Sequence, residues 1–90
     1  MLKDLEDLIK TIRDRKNSSE HESYTKKLLN DKNLSVSKVK EEVNELIEAV
    51  EKNTNKVHES ADVIYHLLVY LEANNIKIED VMKELEKRKK

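Results

Sequence analysis

A chain of 90 residues that is 37% apolar and 41% charged, with neither glycine nor proline, can build one modest core and no more. Turns that need positive φ must fall on Asn or Asp, which argues against a hairpin-rich β protein and leaves helices joined by short polar loops. Net charge is −1 and cysteine is absent, so no field draws the chain to nucleic acid or anionic membrane, and disulfides, thiolate catalysis and Cys-ligated zinc are excluded.

The N-terminus, Met1-Leu2-Lys3-Asp4, is charged within four residues and has no apolar signal core. Helix 1 is expected from Leu2 to Arg15, with Leu2, Leu5, Leu8, Ile9 and Ile12 on one face. A polar loop follows over residues 17–22. Ser23 reads as the N-cap of a short helix from Tyr24 to Leu29, which Asn30-Asp31-Lys32-Asn33 breaks. Ser35 or Ser37 is then expected to cap helix 3, Val36 to Lys52, whose seam is Val36, Val39, Val43, Leu46 and Val50. Thr54 or Asn55 opens helix 4, which runs to about Asn74, where Asn74-Asn75 replaces the usual left-handed glycine stop. Helix 5, Ile78 to about Arg88, packs through Ile78, Val81, Met82 and Leu85, and its basic end, Lys87 to Lys90, complements the helix dipole. The longest run without an acid, Lys or Arg is Val63 to Leu71, far short of the ~20 residues of a spanning helix. The expectation is one all-α domain over residues 1–90, a bundle of four to five helices in the cytoplasm.

Helix 4 carries the informative chemistry. Val57, Ala61, Ile64, Tyr65, Leu68 and Leu71 form one arc, and Val63, Leu67, Val69 and Tyr70 extend it around most of the circumference. So much apolar surface in a small chain points to a homodimer or a larger even-numbered assembly. Glu59, Asp62 and His66 share the remaining stripe. Helix 3 presents Glu41, Glu42, Glu45 and Glu48. Glu42/Glu45 and Glu59/Asp62 are both i,i+3 pairs on a helix face. If the two helices pack, four carboxylates converge, which repulsion forbids unless a cation neutralises them or some are protonated. An all-oxygen set suits Mg²⁺, or Mn²⁺ in its place, rather than zinc. The plainer readings are that acidic pairs arise by chance in so charged a chain, that Lys38 bridges Glu42 at i,i+4, and that His66 is a satisfied core histidine. Glu48 and Glu51 read as a solvated face. His21 and His58 have no supporting pattern.

Glu41-Glu42-x-x-Glu45, thirteen intervening residues and then Glu59-x-x-Asp62 resembles the acidic signature of the all-α, MazG-like nucleoside triphosphate pyrophosphohydrolases. Ser23 to Leu29, Lys38 to Glu42 and Asp62 to Val69 narrow the resemblance to the phosphoribosyl-ATP pyrophosphatase family, from helix 1 to the start of helix 5. Lys40 and Val43 depart from it, standing where the family usually has glycine and alanine. The resemblance implies hydrolysis of phosphoribosyl-ATP to phosphoribosyl-AMP and pyrophosphate. It implies Mg²⁺ held by Glu42, Glu45, Glu59 and Asp62, with Glu41 orienting or deprotonating the water or binding a second metal. Lys27 and Lys38 would meet the phosphates, and Ser23, Tyr24 and His66 would contact substrate. The competing expectations are a housecleaning enzyme acting on free nucleoside triphosphates, and a non-catalytic helical oligomerisation module.

Overall fold

The computed structural model describes residues 2–17 and 23–89. It contains α1 Lys3–Asn17, α2 Tyr24–Asn30, α3 Lys32–Lys52, α4 Lys56–Ala73 and α5 Ile78–Lys87, with no strand among the described residues. The all-α expectation holds. Residues 18–22 of the expected polar loop, His21 among them, lie outside the described residues, and Asn17 ends α1.

Local chemistry sets the helix ends. Ser23 caps α2 as expected, its Oγ accepting from the Lys26 N–H at 3.1 Å. The start of α3 differs from expectation: neither Ser35 nor Ser37 is its cap. Asp31 does both jobs at that corner. Its N–H bonds to Leu28 O at the end of α2, and its Oδ1 accepts from the Leu34 N–H at 3.0 Å to open α3. One charged acceptor satisfies an early helical N–H, so Lys32 and Asn33 join the helix rather than break it. The three residues with positive φ are all asparagines: Asn53 (56°), Asn55 (45°) and Asn75 (58°). In a chain without glycine, Asn is the residue that best tolerates that region.

Residues 53–55 fold α3 and α4 into an antiparallel hairpin, the spine of the molecule. The expected seam of α3 is only half right. Val36, Val39 and Leu46 of the seam are half-buried and Ser35, Glu42 and Ala49 share the inward side, whereas Val43, Ile47 and Val50 stay exposed. At ~100° per residue, Ser35, Glu42, Leu46 and Ala49 centre about 70° from the middle of the expected seam. Helix α4 is divided in the same way: Val69 and Ala73 are buried, while Val57, Ile64 and Leu67 are exposed. The core gathers at the end of the hairpin away from residues 53–55. Ile12, Leu28, Leu29, Val69 and Ala73 form it, with Leu8, Leu34, Tyr65 and Leu68 packed around.

Helix α1 is tied across the bundle by ions as well as by Ile12. The Arg13 guanidinium grips both Glu79 oxygens at 2.8 and 2.6 Å and lies 3.4 Å from Glu72. That fork holds the Glu79 carboxyl down at about 2. Helix α5 packs more lightly than its pattern implied. Ile78 and Val81 are half-buried, but Met82 and Leu85 are exposed.

Candidate metal centre

The acids of α3 and α4 meet towards the loop end of the hairpin, opposite the apolar core. Oxygens of Glu42, Glu45 and Glu59 lie within 4.8 Å of one another. Asp62 joins through a second, overlapping group of His58, Glu59 and Asp62, also within 4.8 Å. Each i,i+3 pair projects from its own helix, and the hairpin brings the two pairs face to face.

The electrostatics of the cluster are those of crowded like charges. Burial, then a hydrogen bond with Glu45, then the charges of Glu45, Asp62 and Glu59 push the Glu42 carboxyl up to about 7. Glu59 is raised too, by burial first and then by Glu45 and Asp62. One oxygen of Glu42 and one of Glu59 are enclosed without a hydrogen-bond partner. An anionic oxygen in that position needs a cation or a proton. Lys38 does not serve Glu42: its Nζ pairs with Glu41 at 3.0 Å instead. The all-oxygen donor set and its unpaired oxygens fit a hard divalent cation such as Mg²⁺.

This constellation can be set against known proteins. The chain matches the phosphoribosyl-ATP pyrophosphohydrolase family over residues 5–89, a span that includes every site residue named above. It belongs to that family. It is 44% identical over 92 residues to the phosphoribosyl-ATP pyrophosphatase of Clostridium novyi, covering 96% of this chain and 81% of the relative. It is 48% identical over 90 residues to the enzyme of that name from Clostridium acetobutylicum, covering 93% and 79%. It is also 41% identical over 78 residues to the histidine biosynthesis trifunctional protein of Kluyveromyces lactis, covering 87% of this chain and 10% of that protein.

Within this phosphoribosyl-ATP pyrophosphohydrolase fold the remaining candidates occupy distinct places. Tyr24 lies close enough to Lys38, Glu41 and Glu42 to feel their charges, so α2 forms one wall beside the cluster. The Tyr24 hydroxyl is 2.9 Å from His66 Nε2, and His66 Nδ1 is 2.8 Å from the Asp62 carbonyl. A carbonyl only accepts, so Nδ1 carries the proton and Nε2 accepts from Tyr24. Both ring nitrogens of the buried His66 are thereby engaged. Tyr65 stacks beside Tyr24 with ring centroids 6.4 Å apart, and Thr25 Oγ1 meets the Tyr65 hydroxyl. Ser23 spends its hydroxyl on the α2 cap, and Lys27 is exposed without a contact tying it to the cluster among the described residues.

One residue at the centre escaped sequence reasoning. His58 Nε2 is 3.4 Å from Asp62 and 3.9 Å from Glu59. The signal was its i,i+4 spacing to Asp62 on the same helix face.

Proposed function

We propose that the chain hydrolyses the α–β phosphoanhydride of phosphoribosyl-ATP, giving phosphoribosyl-AMP and pyrophosphate, as a step of histidine biosynthesis in the cytoplasm. The observation that carries this reading is the convergence of Glu42, Glu45 and Glu59 with two unpartnered, enclosed oxygens, in a chain of this family. Glu42, Glu45, Glu59 and Asp62 would hold Mg²⁺, with Mn²⁺ as a substitute, and the ion would supply charge neutralisation for the polyphosphate. Glu41 stands next to Glu42 at the exposed rim, orients the attacking water and accepts its proton. The new P–O bond forms as the bond to the pyrophosphate oxygen breaks. Lys38, 3.0 Å from Glu41, places an ammonium where the phosphates approach, and Lys27 adds a second. Ser23 and Tyr24 border the substrate, while His66 holds the Tyr24 hydroxyl in place.

The working unit is a homodimer or a larger even-numbered assembly. Ile47 and Val50 of α3 and Val57, Ile64 and Leu67 of α4 are exposed, and a second copy would cover them. Light scattering should give an even multiple of the 10.6 kDa chain; a stable monomer at micromolar concentration counts against it.

Pyrophosphate release tests the activity. Phosphoribosyl-ATP and a panel of nucleoside triphosphates are each assayed with Mg²⁺ and with a chelator. Turnover of phosphoribosyl-ATP alone, lost on chelation, is the expected result. Faster turnover of a free nucleoside triphosphate would move the chain to housecleaning. No turnover and no metal binding would leave a helical module.

A further inference from the structure

We propose that the ring of Tyr24 is the stacking platform for the purine of the nucleotide whose polyphosphate meets the carboxylate centre. The proposal rests on the reading of the chain as a nucleotide pyrophosphohydrolase, and it names how the base is recognised. The chain has three tyrosines and neither Phe nor Trp. Tyr65 and Tyr70 are half-buried, and Tyr24 alone is exposed, at 48%. An exposed tyrosine is ordinary, but this one is also fixed. Tyr65 lies beside its ring at an angle of 19°, with centroids 6.4 Å apart, and His66 meets it edge-on at 5.8 Å. Both are preferred arrangements of aromatic pairs. The Tyr24 hydroxyl is tied to His66 Nε2 at 2.9 Å. Thr25, the next residue, bonds to the hydroxyl of Tyr65, the residue before His66. Two successive residues of α2 are thus bolted to two successive residues of α4.

A side chain that packs only for stability is enclosed. Tyr24 has lost its freedom and still keeps much of its surface in solvent, the state of a group pre-organised for a ligand. With its hydroxyl engaged, the ring offers its free face. Bases stack on such a face whatever hydrogen-bonding groups their edges carry. The position suits a base as well. Tyr24 lies within electrostatic reach of Lys38, Glu41 and Glu42. Its partner His66 is four residues along α4 from Asp62, or ~6 Å along the helix axis. A ribose separates an α-phosphate from its base by a gap of that order.

Isothermal titration of the full chain in the presence of Mg²⁺ tests this with two probes. One is α,β-methylene-ATP, which resists hydrolysis at the reacting linkage and carries a purine; the other is inorganic triphosphate, which carries none. Tyr24→Leu removes the platform, and Tyr24→Phe keeps it. Loss of one base–aromatic stack corresponds to roughly 5–150-fold in affinity. Tyr24→Leu should weaken α,β-methylene-ATP by such a factor and leave triphosphate binding unchanged, which also shows that the variant has folded. Tyr24→Phe should keep most of the wild-type affinity. In the wild type, the ring current of the purine should shift the Tyr24 ring resonances upfield with α,β-methylene-ATP and not with triphosphate, a readout that needs no variant. Equal weakening of both probes, no weakening of either, or Tyr24→Phe behaving as Tyr24→Leu overturns the proposal, while the phosphate-binding centre stands. A wild type that binds neither probe defeats the pyrophosphohydrolase reading as well.

Discussion

Magnesium affinity should fall about tenfold between pH 8 and pH 6, and Glu42 is the reason. Its carboxyl is pushed up to about 7, first by burial and then by Glu45, Asp62 and Glu59. Lys38 on its own helix and Tyr24 on α2 also lie within electrostatic reach, and none of these groups removes the proton. A ligand must lose its proton before it binds metal, so the apparent Kd is multiplied by 1 + 10^(pKa − pH). With a value of about 7 that factor is about 11 at pH 6 and about 1.1 at pH 8. The same arithmetic requires release of about 0.9 proton per Mg²⁺ at pH 6 and about 0.1 at pH 8. Titration calorimetry in two buffers of different ionisation enthalpy reads both quantities, at matched ionic strength because surface charges also respond to salt. Glu42→Gln should remove most of the proton release, leaving only the share of Glu59, which is raised as well. Without metal, the same carboxyl makes stability depend on pH. The folded state binds this proton more firmly than the unfolded chain, so the contribution to stability is full below about 4.5 and is lost as pH rises through about 7. An affinity independent of pH, with no proton released, would show that Glu42 is not a ligand in this centre.

Four further outcomes follow from single residues. Asp62→Asn keeps the shape and removes the ligand charge, so turnover should vanish while the circular dichroism of the helices is unchanged; near wild-type hydrolysis would remove Asp62 from the centre. Leu28→Ala empties a fully enclosed core position and should cost about 2–5 kcal/mol, read as a fall in the urea midpoint. Ser35 buries an Oγ that has no partner, so Ser35→Ala should be neutral or stabilising; a clear drop in Tm would reveal a hydrogen bond to that hydroxyl. Tyr24→Phe leaves His66 Nε2 without its donor and should cost about 1–3 kcal/mol, or roughly 4–8 °C of Tm per kcal/mol in a domain this small. An unchanged Tm would mean that the Tyr24–His66 bond carries no net stability.

Most helix ends were legible because local side-chain chemistry sets them: Ser23 caps α2, Asn55 precedes α4, and Asn75 takes the left-handed position beyond its end. The carboxylate pairs were legible from helix geometry. The start of α3 was not, because Asp31 could be read as a breaker or as a cap, and only the fold shows that it closes one helix and opens the next. The orientation of α3 was misjudged because periodicity ranks positions by hydrophobicity alone. Here Glu42 and Ser35 take inward places while Ile47 and Val50 face out. The plainer reading of Lys38 as a bridge to Glu42 fails on the partner, because i,i+3 and i,i+4 are equally reachable on a helix and its ammonium meets Glu41 instead. His58 was passed over because its partners were sought by motif and not by face.

The core and the acids sit at opposite ends of one hairpin. The apolar end, around Leu28 and Val69, is anchored by close packing. The loop end, near Asn53 to Asn55, holds mutually repelling carboxylates, and Val50 and Val57 beside it face outwards. Cooperative units open where buried apolar contacts are few, so without metal the turns around Glu45 and Glu59 should exchange their amide hydrogens long before those around Val69. A cation drawing α3 and α4 together there would do what leucines do at the other end. Metal binding and the local folding of that half would then be a single event.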